Sequence, residues 1–368
     1  MAERLVIDED SHVEEVDATW DYLDDRFVER RPQAITLENR AIFANRNACW
    51  YIDGNVYPKV VGRGVTTYGT PVTSVYARNK AFSLESQGLT NPEARVRDLD
   101  RQGIAVQVIY HTIFLEPLTD DPEFEAALMR SYNTWIAKAC AQSPKRLKWA
   151  ASMPLQNVAA AIEELGRVKQ LGAVAVTLSG TIGDRMLHDS RFDPFFAEAE
   201  RLNMPVSVHI SWSHQGLRQS VDSVYGANCI SINFTVLMGF FSLLGAVLDR
   251  HPGLKVAFLE AGSEWVPYMV HRMDHYYEAE RRSGWPIPKR PASAYLKDCQ
   301  IYFTCESEEQ LLPEVLELVG VDRMMISSDI PHSEGRETAI EEILARPDLS
   351  ESAKEKILGL NAQAFYNL

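Results

Sequence analysis

Cysteine is scarce and badly placed for bridging. The five residues Cys49, Cys140, Cys229, Cys299 and Cys305 are widely spaced, odd in number and contain no CxxC pair. That argues against a disulfide framework or a structural zinc finger and fits a reducing cytoplasm. Basic residues are in deficit, 37 Lys+Arg against 51 Asp+Glu, for a formal charge of −14. Such a surface repels phosphate backbones and anionic lipid, so neither nucleic acid nor a membrane is the expected partner. The opening MAERLVIDED has no apolar core of a signal peptide. The longest apolar run, FTVLMGFFSLLGAV (234–247), is short for a bilayer and reads as a buried helix. No GxGxxG or GxxxxGKS/T follows the first apolar segment, which removes the usual argument for a nucleotide fold. Repeats and low-complexity tracts are also missing. The expectation is a cytoplasmic, globular chain.

What is present is alternation. Short β-branched runs occur at 5–10, 104–112, 146–153, 172–178, 205–211, 255–262, 299–306 and 323–329. Between them lie stretches such as PEFEAALMRSYNTWIAKACAQ and NVAAAIEELGRVKQL, with apolar residues at three-to-four spacing. Gly or Pro marks most helix-to-strand junctions, among them Gly103, Gly172, Pro205 and Gly320. Strand–helix alternation means parallel strands with right-handed crossovers, and eight units are the count of a (β/α)8 barrel. An open doubly wound sheet is the alternative. The predicted fold is an α/β, distorted (β/α)8 TIM barrel, with residues 1–368 as one domain. Residues 13–93 interrupt the pattern and are rich in aromatics, including Trp20, Phe43, Trp50, Tyr57, Tyr68 and Tyr76. A structureless loop of that length is improbable, so this insertion is expected to form a cap over the active-site face.

Barrel chemistry is built at the C-terminal ends of strands. The first strand ends Asp10-Ser11-His12, and residues two apart on a strand point the same way. The fifth ends in His209, the sixth in Glu260 and the eighth in Asp329. Taken singly, His209 reads equally as a core histidine, and Asp329 as the cap of a helix beginning at Pro331. Together, two imidazoles and two carboxylates (Asp10, His12, His209 and Asp329) suit one divalent transition metal, zinc first, then manganese or iron(II). Calcium and magnesium prefer all-oxygen shells.

The segments SPKRLKWAASMPLQN, DPFFAEAERLNMPVSVHIS, HPGLKVAFLEAGSEWVPYMVHRMD and DRMMISSDIPHSEG resemble the amidohydrolase-2 family, which includes aminocarboxymuconate-semialdehyde decarboxylase-like enzymes. The resemblance runs from about residue 94 to the end, plus the first-strand motif. It implies a distorted TIM barrel, a divalent metal on Asp10, His12, His209 and Asp329, frequent homodimers, and either hydrolysis or non-oxidative decarboxylation. The sequence departs from that pattern in three places. Asp10 stands where many members have His or Glu, a swap a metal tolerates. The fourth strand, GAVAVTL, ends without lysine, so a carbamylated bridge between two metals is unavailable and one metal is expected. Glu260 stands where the characterised decarboxylases have His.

That last departure makes a metal-dependent hydrolase of a small aromatic or apolar ester, lactone, amide or thioester the leading expectation. A metal-bound water would attack, with Asp329 moving the proton and Glu260 orienting the water or serving as a ligand. His332, three residues beyond Asp329, is expected to act as an electrophile or to support Asp329. His111, Trp212 and His214 are expected to line the substrate pocket. The alternative is a decarboxylase of an aromatic or unsaturated acid. There Asp329 protonates carbon, and Arg40, Arg46, Arg63 or Arg78 of the insertion holds a second anionic group.

Overall fold

The eight apolar runs all become strands. The computed structural model describes residues 4–368 except 39, 41–45, 59, 62–63, 66–68, 79, 222 and 333–334; the side chains of 60–61, 64–65, 76, 220 and 224 are also left aside. The strands are β1 (Ile7–Val13), β2 (Val106–His111), β3 (Leu147–Ser152), β4 (Ala175–Ser179), β5 (Val206–His209), β6 (Lys255–Phe258), β7 (Gln300–Cys305) and β8 (Met324–Ile326). They lie in one sheet in chain order, every pairing parallel.

Beyond β8 the chain turns back onto β1. The Asp329 amide donates to the Asp10 carbonyl (3.1 Å) and the His12 amide to the Ile330 carbonyl (2.8 Å), closing the barrel. The expected barrel, rather than the open sheet, is what forms. The main helices are α1 (Pro92–Gln102), α2 (Pro122–Cys140), α3 (Val158–Leu171), α4 (Asp193–Arg201), α5 (Ala227–Arg250), α6 (Val266–Glu280), α7 (Leu312–Val319) and α8 (residues 351–366). Local chemistry sets their ends. Asn157 caps α3 by accepting from the Ala160 amide (3.1 Å), and Gly172 stops it in the left-handed conformation at φ 93°.

The barrel interior holds Ile7, Val108, Tyr110, Ala257 and Met325, and Phe365 and Tyr366 of α8 join the same cluster. The Tyr366 hydroxyl donates to Glu9 Oε2 (2.8 Å) and pairs with the Tyr110 hydroxyl (2.8 Å), satisfying polar groups that would otherwise be buried without partners. A fully buried Arg95 on α1 pins β1 from outside, donating to the His12 carbonyl (2.9 Å) and to Gln107 Oε1 (3.1 Å).

Three expectations change in detail. β1 runs on to Val13, so His12 lies within the strand. The apolar run 234–247 sits inside the 24-residue α5, which is long and apolar enough to cross a membrane. Here α5 packs on the barrel, with Val236, Phe240, Leu244 and Val247 fully buried. The insertion has its own antiparallel sheet, Gln33–Thr36, Ala48–Ile52 and Asn55–Tyr57, and its aromatics join the hydrophobic core around the barrel. Trp20 and Trp50 meet edge to face at 5.9 Å, and Phe27 packs on Phe124 at 5.2 Å. It docks on the β2–α2 connection, where Tyr57 donates to the Leu118 carbonyl (3.0 Å). Phe43, Tyr68 and Arg63 fall outside the described residues, as does the Tyr76 side chain.

The closest approach of helix to barrel is made by two glycines, Gly180 after β4 and Gly239 on α5. A Cβ on Gly180 would stand 1.6 Å from the Thr235 carbonyl oxygen. A Cβ on Gly166 in α3 would meet nothing within 4 Å. Gly180→Ala should therefore cost about 1–3 kcal/mol by overpacking, whereas Gly166→Ala should add about 0.5–1 kcal/mol from helix propensity. Urea unfolding of both variants checks the pair, and a neutral Gly180→Ala would contradict the packing described.

Candidate metal centre

Five side chains from four strand ends meet at the C-terminal end of the barrel, and each arrives by a different local route. Asp10 and His12 are both fully buried on β1. The His12 Nδ1–H donates to the His111 carbonyl (2.8 Å), which leaves Nε2 as the free lone pair. His209 does the same through Nδ1 and the Ile210 carbonyl (3.1 Å) at the end of β5. Glu260 and Asp329 stand just past β6 and β8 in the left-handed backbone region, φ 55° and 53°. That conformation costs a non-glycine residue of order 1–3 kcal/mol, and here it turns two carboxylates inward.

The donor atoms are spaced for one ion. Glu260 Oε2 lies 3.1 Å from His12 Nε2 and 3.0 Å from His209 Nε2. Asp10 Oδ1 lies 3.6 and 3.5 Å from the same two nitrogens. Bonds of about 2.0–2.2 Å to a common ion separate neighbouring donors by about 3.0–3.6 Å in tetrahedral or octahedral geometry. Both Asp10 carboxylate oxygens and His209 Nε2 are buried with no hydrogen bond of ordinary geometry. A buried charge left that way is costly unless a cation meets it. Asp10, His12, His209 and Glu260 form one such group; His12, Glu260, Asp329 and His332 form an overlapping one. The residues present thus fit a divalent metal.

Electrostatics agree. Burial alone would pull the His209 imidazolium down, but the Asp10 and Glu260 carboxylates outweigh it and hold the proton on well above the usual range. For Glu260, burial opposes ionisation, and His209 and His12 overcome it to hold the carboxyl far below its ordinary value. Burial, reinforced by His332, lowers His12 and favours the neutral imidazole that a metal needs. The site attracts positive charge, as a metal centre must.

The remaining candidates divide. His332 Nδ1 lies 2.8 Å from Asp329 Oδ1, its Nε2 is 2.9 Å from Thr112 Oγ1, and its ring stacks on His12 at 4.0 Å. That is the support geometry. His111 lines a cavity and is held by Ser152 Oγ (2.6 Å). Trp212 lines neither cavity at the site; it is packed in the core, its amide on the Leu115 carbonyl (2.7 Å). His214 is a helix cap whose Nδ1 accepts from the Leu217 amide (3.2 Å), because the chain turns into the short helix Gln215–Ser220 there. Thr112 escaped the sequence reading, although the rule of strand ends that selected His111 reaches it one residue later. Glu260 enters the four-donor group with Asp10 and both histidines, and Asp329 sits at its edge beside His332. Two cavities flank the cluster: one of about 340 Å³ reaching His209 and His111, and one of about 270 Å³ reaching Glu260 and Asp329.

Known proteins similar to this chain correct the expected chemistry. The chain is 24% identical over 284 residues to 2-amino-3-carboxymuconate-6-semialdehyde decarboxylase of Dictyostelium discoideum, covering 76% of this chain and 77% of that one. It is 27% identical over 311 residues to gamma-resorcylate decarboxylase of Rhodococcus jostii, covering 77% and 90%. Among solved structures, 5-carboxyvanillate decarboxylase of Novosphingobium aromaticivorans, with manganese bound, superposes with a TM-score of 0.72 at 19% identity, over 99% of this chain and 97% of that one. The curated relatives are carboxy-lyases, so the hydrolase reading does not stand. The departure at Glu260 does not require hydrolysis either: its Oε2 is turned onto the two imidazoles, where it could serve as a ligand beside them. The Amidohydrolase family model matches residues 55–368, and with the barrel and its donor cluster in place the chain belongs to the amidohydrolase family.

Proposed function

We propose that this protein is a metal-dependent, non-oxidative decarboxylase of an aromatic or unsaturated carboxylic acid. The observation that carries the reading is that these curated relatives, matched over three quarters of the chain, are decarboxylases. Asp10, His12, His209 and Glu260 would hold one ion. Zinc was the expectation, but two carboxylates beside two imidazoles suit manganese as well, and the solved 5-carboxyvanillate decarboxylase carries manganese. When bound, the ion supplies an electrophilic anchor for the substrate carboxylate and an oxygen beside it.

The chain's own residues do the rest. Asp329 delivers a proton to the carbon that bears the carboxylate; the carbon–carbon bond then breaks, its electron pair returns to the ring, and carbon dioxide leaves. No electron acceptor is needed. His332, 2.8 Å from Asp329 Oδ1 and held by Thr112, orients Asp329 and returns its proton for the next turnover. The insertion docked on the β2–α2 connection serves as the cap. Unbridged cysteines fit a reducing cytoplasm. A homodimer would cover exposed aromatics such as Phe234, Tyr268 and Trp285.

Metal analysis of purified protein should find about one transition ion per chain, lost in His12→Ala and in His209→Ala because each removes one of few ligands. His188→Ala, whose ring instead contacts Ser242 at 3.3 Å, should keep it. Full occupancy in the double variant would sink the donor assignment. Asp329→Asn should slow turnover by about 10²–10⁴-fold with the metal retained; a near-normal rate would reduce Asp329 to a turn residue. Aryl and unsaturated acids screened in deuterated, ¹⁸O-labelled water decide the chemistry. One deuterium on carbon with release of carbon dioxide is expected; label oxygen in the organic product without carbon dioxide would refute decarboxylation.

A further inference from the structure

The two cavities beside the metal cluster differ in their balance of charge: four carboxylates and one arginine line the smaller, whereas Glu116, Asp120, Glu125 and Asp184 share the larger with three arginines. The smaller one is lined by Glu260, Glu306, Glu308 and Asp329, and its arginine, Arg336, is already paired with Glu308 and, at 3.3 Å, with Glu342. An anionic substrate is repelled there. The larger cavity reaches His209 and His111 and is lined between them by hydroxyls, among them Ser152, Thr177, Thr181 and Ser213. Three arginines also line it. Arg185 and Arg191 are both taken by Asp189, at 3.7 and 3.2 Å.

Arg218, on Gln215–Ser220, is different. It is half-buried, its Nε is shut off from solvent, and among the described residues it makes no hydrogen bond or ion pair. Two of the carboxylates on the same wall are engaged elsewhere: Asp184 accepts from the Gln215 amide (2.9 Å) and Glu125 from Gln156 (2.6 Å). A partly desolvated guanidinium without a partner is costly, and its planar fork matches a carboxylate in two hydrogen bonds. Arg40 and Arg78 of the insertion are exposed, and Arg46 is buried against Thr70 (3.3 Å); none of the three lines the cavity.

We infer that Arg218 anchors a second anionic group of the substrate, so that the acid decarboxylated at this centre is a dianion bound along the larger cavity. This rests on the decarboxylase reading. The test is calorimetric binding of benzoate, isophthalate and terephthalate to the metal-loaded protein. One of the dicarboxylates should bind about tenfold or more tightly than benzoate, the ratio expected of a charged hydrogen-bonded pair. Arg218→Gln should bring that ratio to about one with metal content and benzoate affinity unchanged, while Arg191→Gln leaves it intact. Equal binding of benzoate and dicarboxylates by the wild-type protein, or a ratio that survives Arg218→Gln, overturns the role of Arg218 alone. If no carboxylate binds the metal-loaded wild-type protein, the decarboxylase reading falls and this inference with it.

Discussion

Asp8 holds the molecule together where it does its chemistry. Its carboxylate accepts from the amide and hydroxyl of Ser328 (2.9 and 2.7 Å) and from Gln107 Nε2 (2.7 Å), tying β1 on one side to β2 and on the other to the segment after β8. The Ser327 hydroxyl adds a bond to the Asp10 carbonyl (2.9 Å). Closure of the barrel and assembly of the centre are thus one event, because the backbone that joins the last strand to the first is the backbone that carries Asp10, His12 and Asp329. Burial pushes the Asp8 carboxyl up to about 6, against the pull of the Gln107 and Ser328 bonds. A carboxylate kept buried at that cost is spent on closure, since no solvent reaches it.

The second constraint is the pair of left-handed residues. β6 ends at Phe258 and β8 at Ile326, two and three residues short of Glu260 and Asp329. Had the strands run on, the alternation of the pleat would have set where these side chains point. The turns set it instead, bringing Glu260 Oε2 within 3.1 Å of His12 Nε2 and Asp329 Oδ1 within 3.4 Å. Glu260 joins both overlapping donor groups, and Asp329 joins only the one that contains His332. Two residues of similar chemistry are given different surroundings by position alone.

The barrel was legible because each strand is a short apolar run between helical periods, and all eight runs form strands. The donors were legible because they fall at strand ends. Other features were not, for physical reasons. A positive φ at Glu260 or Asp329 leaves no mark in composition, so whether Glu260 faces the ion or the substrate could not be read, and the chemistry inferred from it went wrong. The aromatics of the insertion look the same whether they line a pocket or fill the core; Trp20 and Trp50 do the latter. Trp212 and His214 follow His209 closely in sequence, but one is packed in the core and the other caps a helix while Ser213 between them lines the cavity, so proximity along the chain was no guide. Arg218 carries no motif, and it stands out only once every other arginine on its cavity has been paired.

Charge explains how a carboxylate at position 260 fits decarboxylation. A divalent ion held by Asp10 and Glu260 with two neutral imidazoles is a neutral unit, whereas an imidazole in place of Glu260 would leave one positive charge. The neutral unit attracts a substrate carboxylate less strongly in the ground state. Losing that carboxylate as uncharged carbon dioxide costs the site less attraction, so less of the binding has to be undone as the reaction proceeds. Affinity must then come from elsewhere, and the larger cavity, where Arg218 lies, supplies a place for it. On the proposed reading, binding and bond breaking would be separated in space, the anchor gripping a group that does not react and the centre holding weakly the one that does.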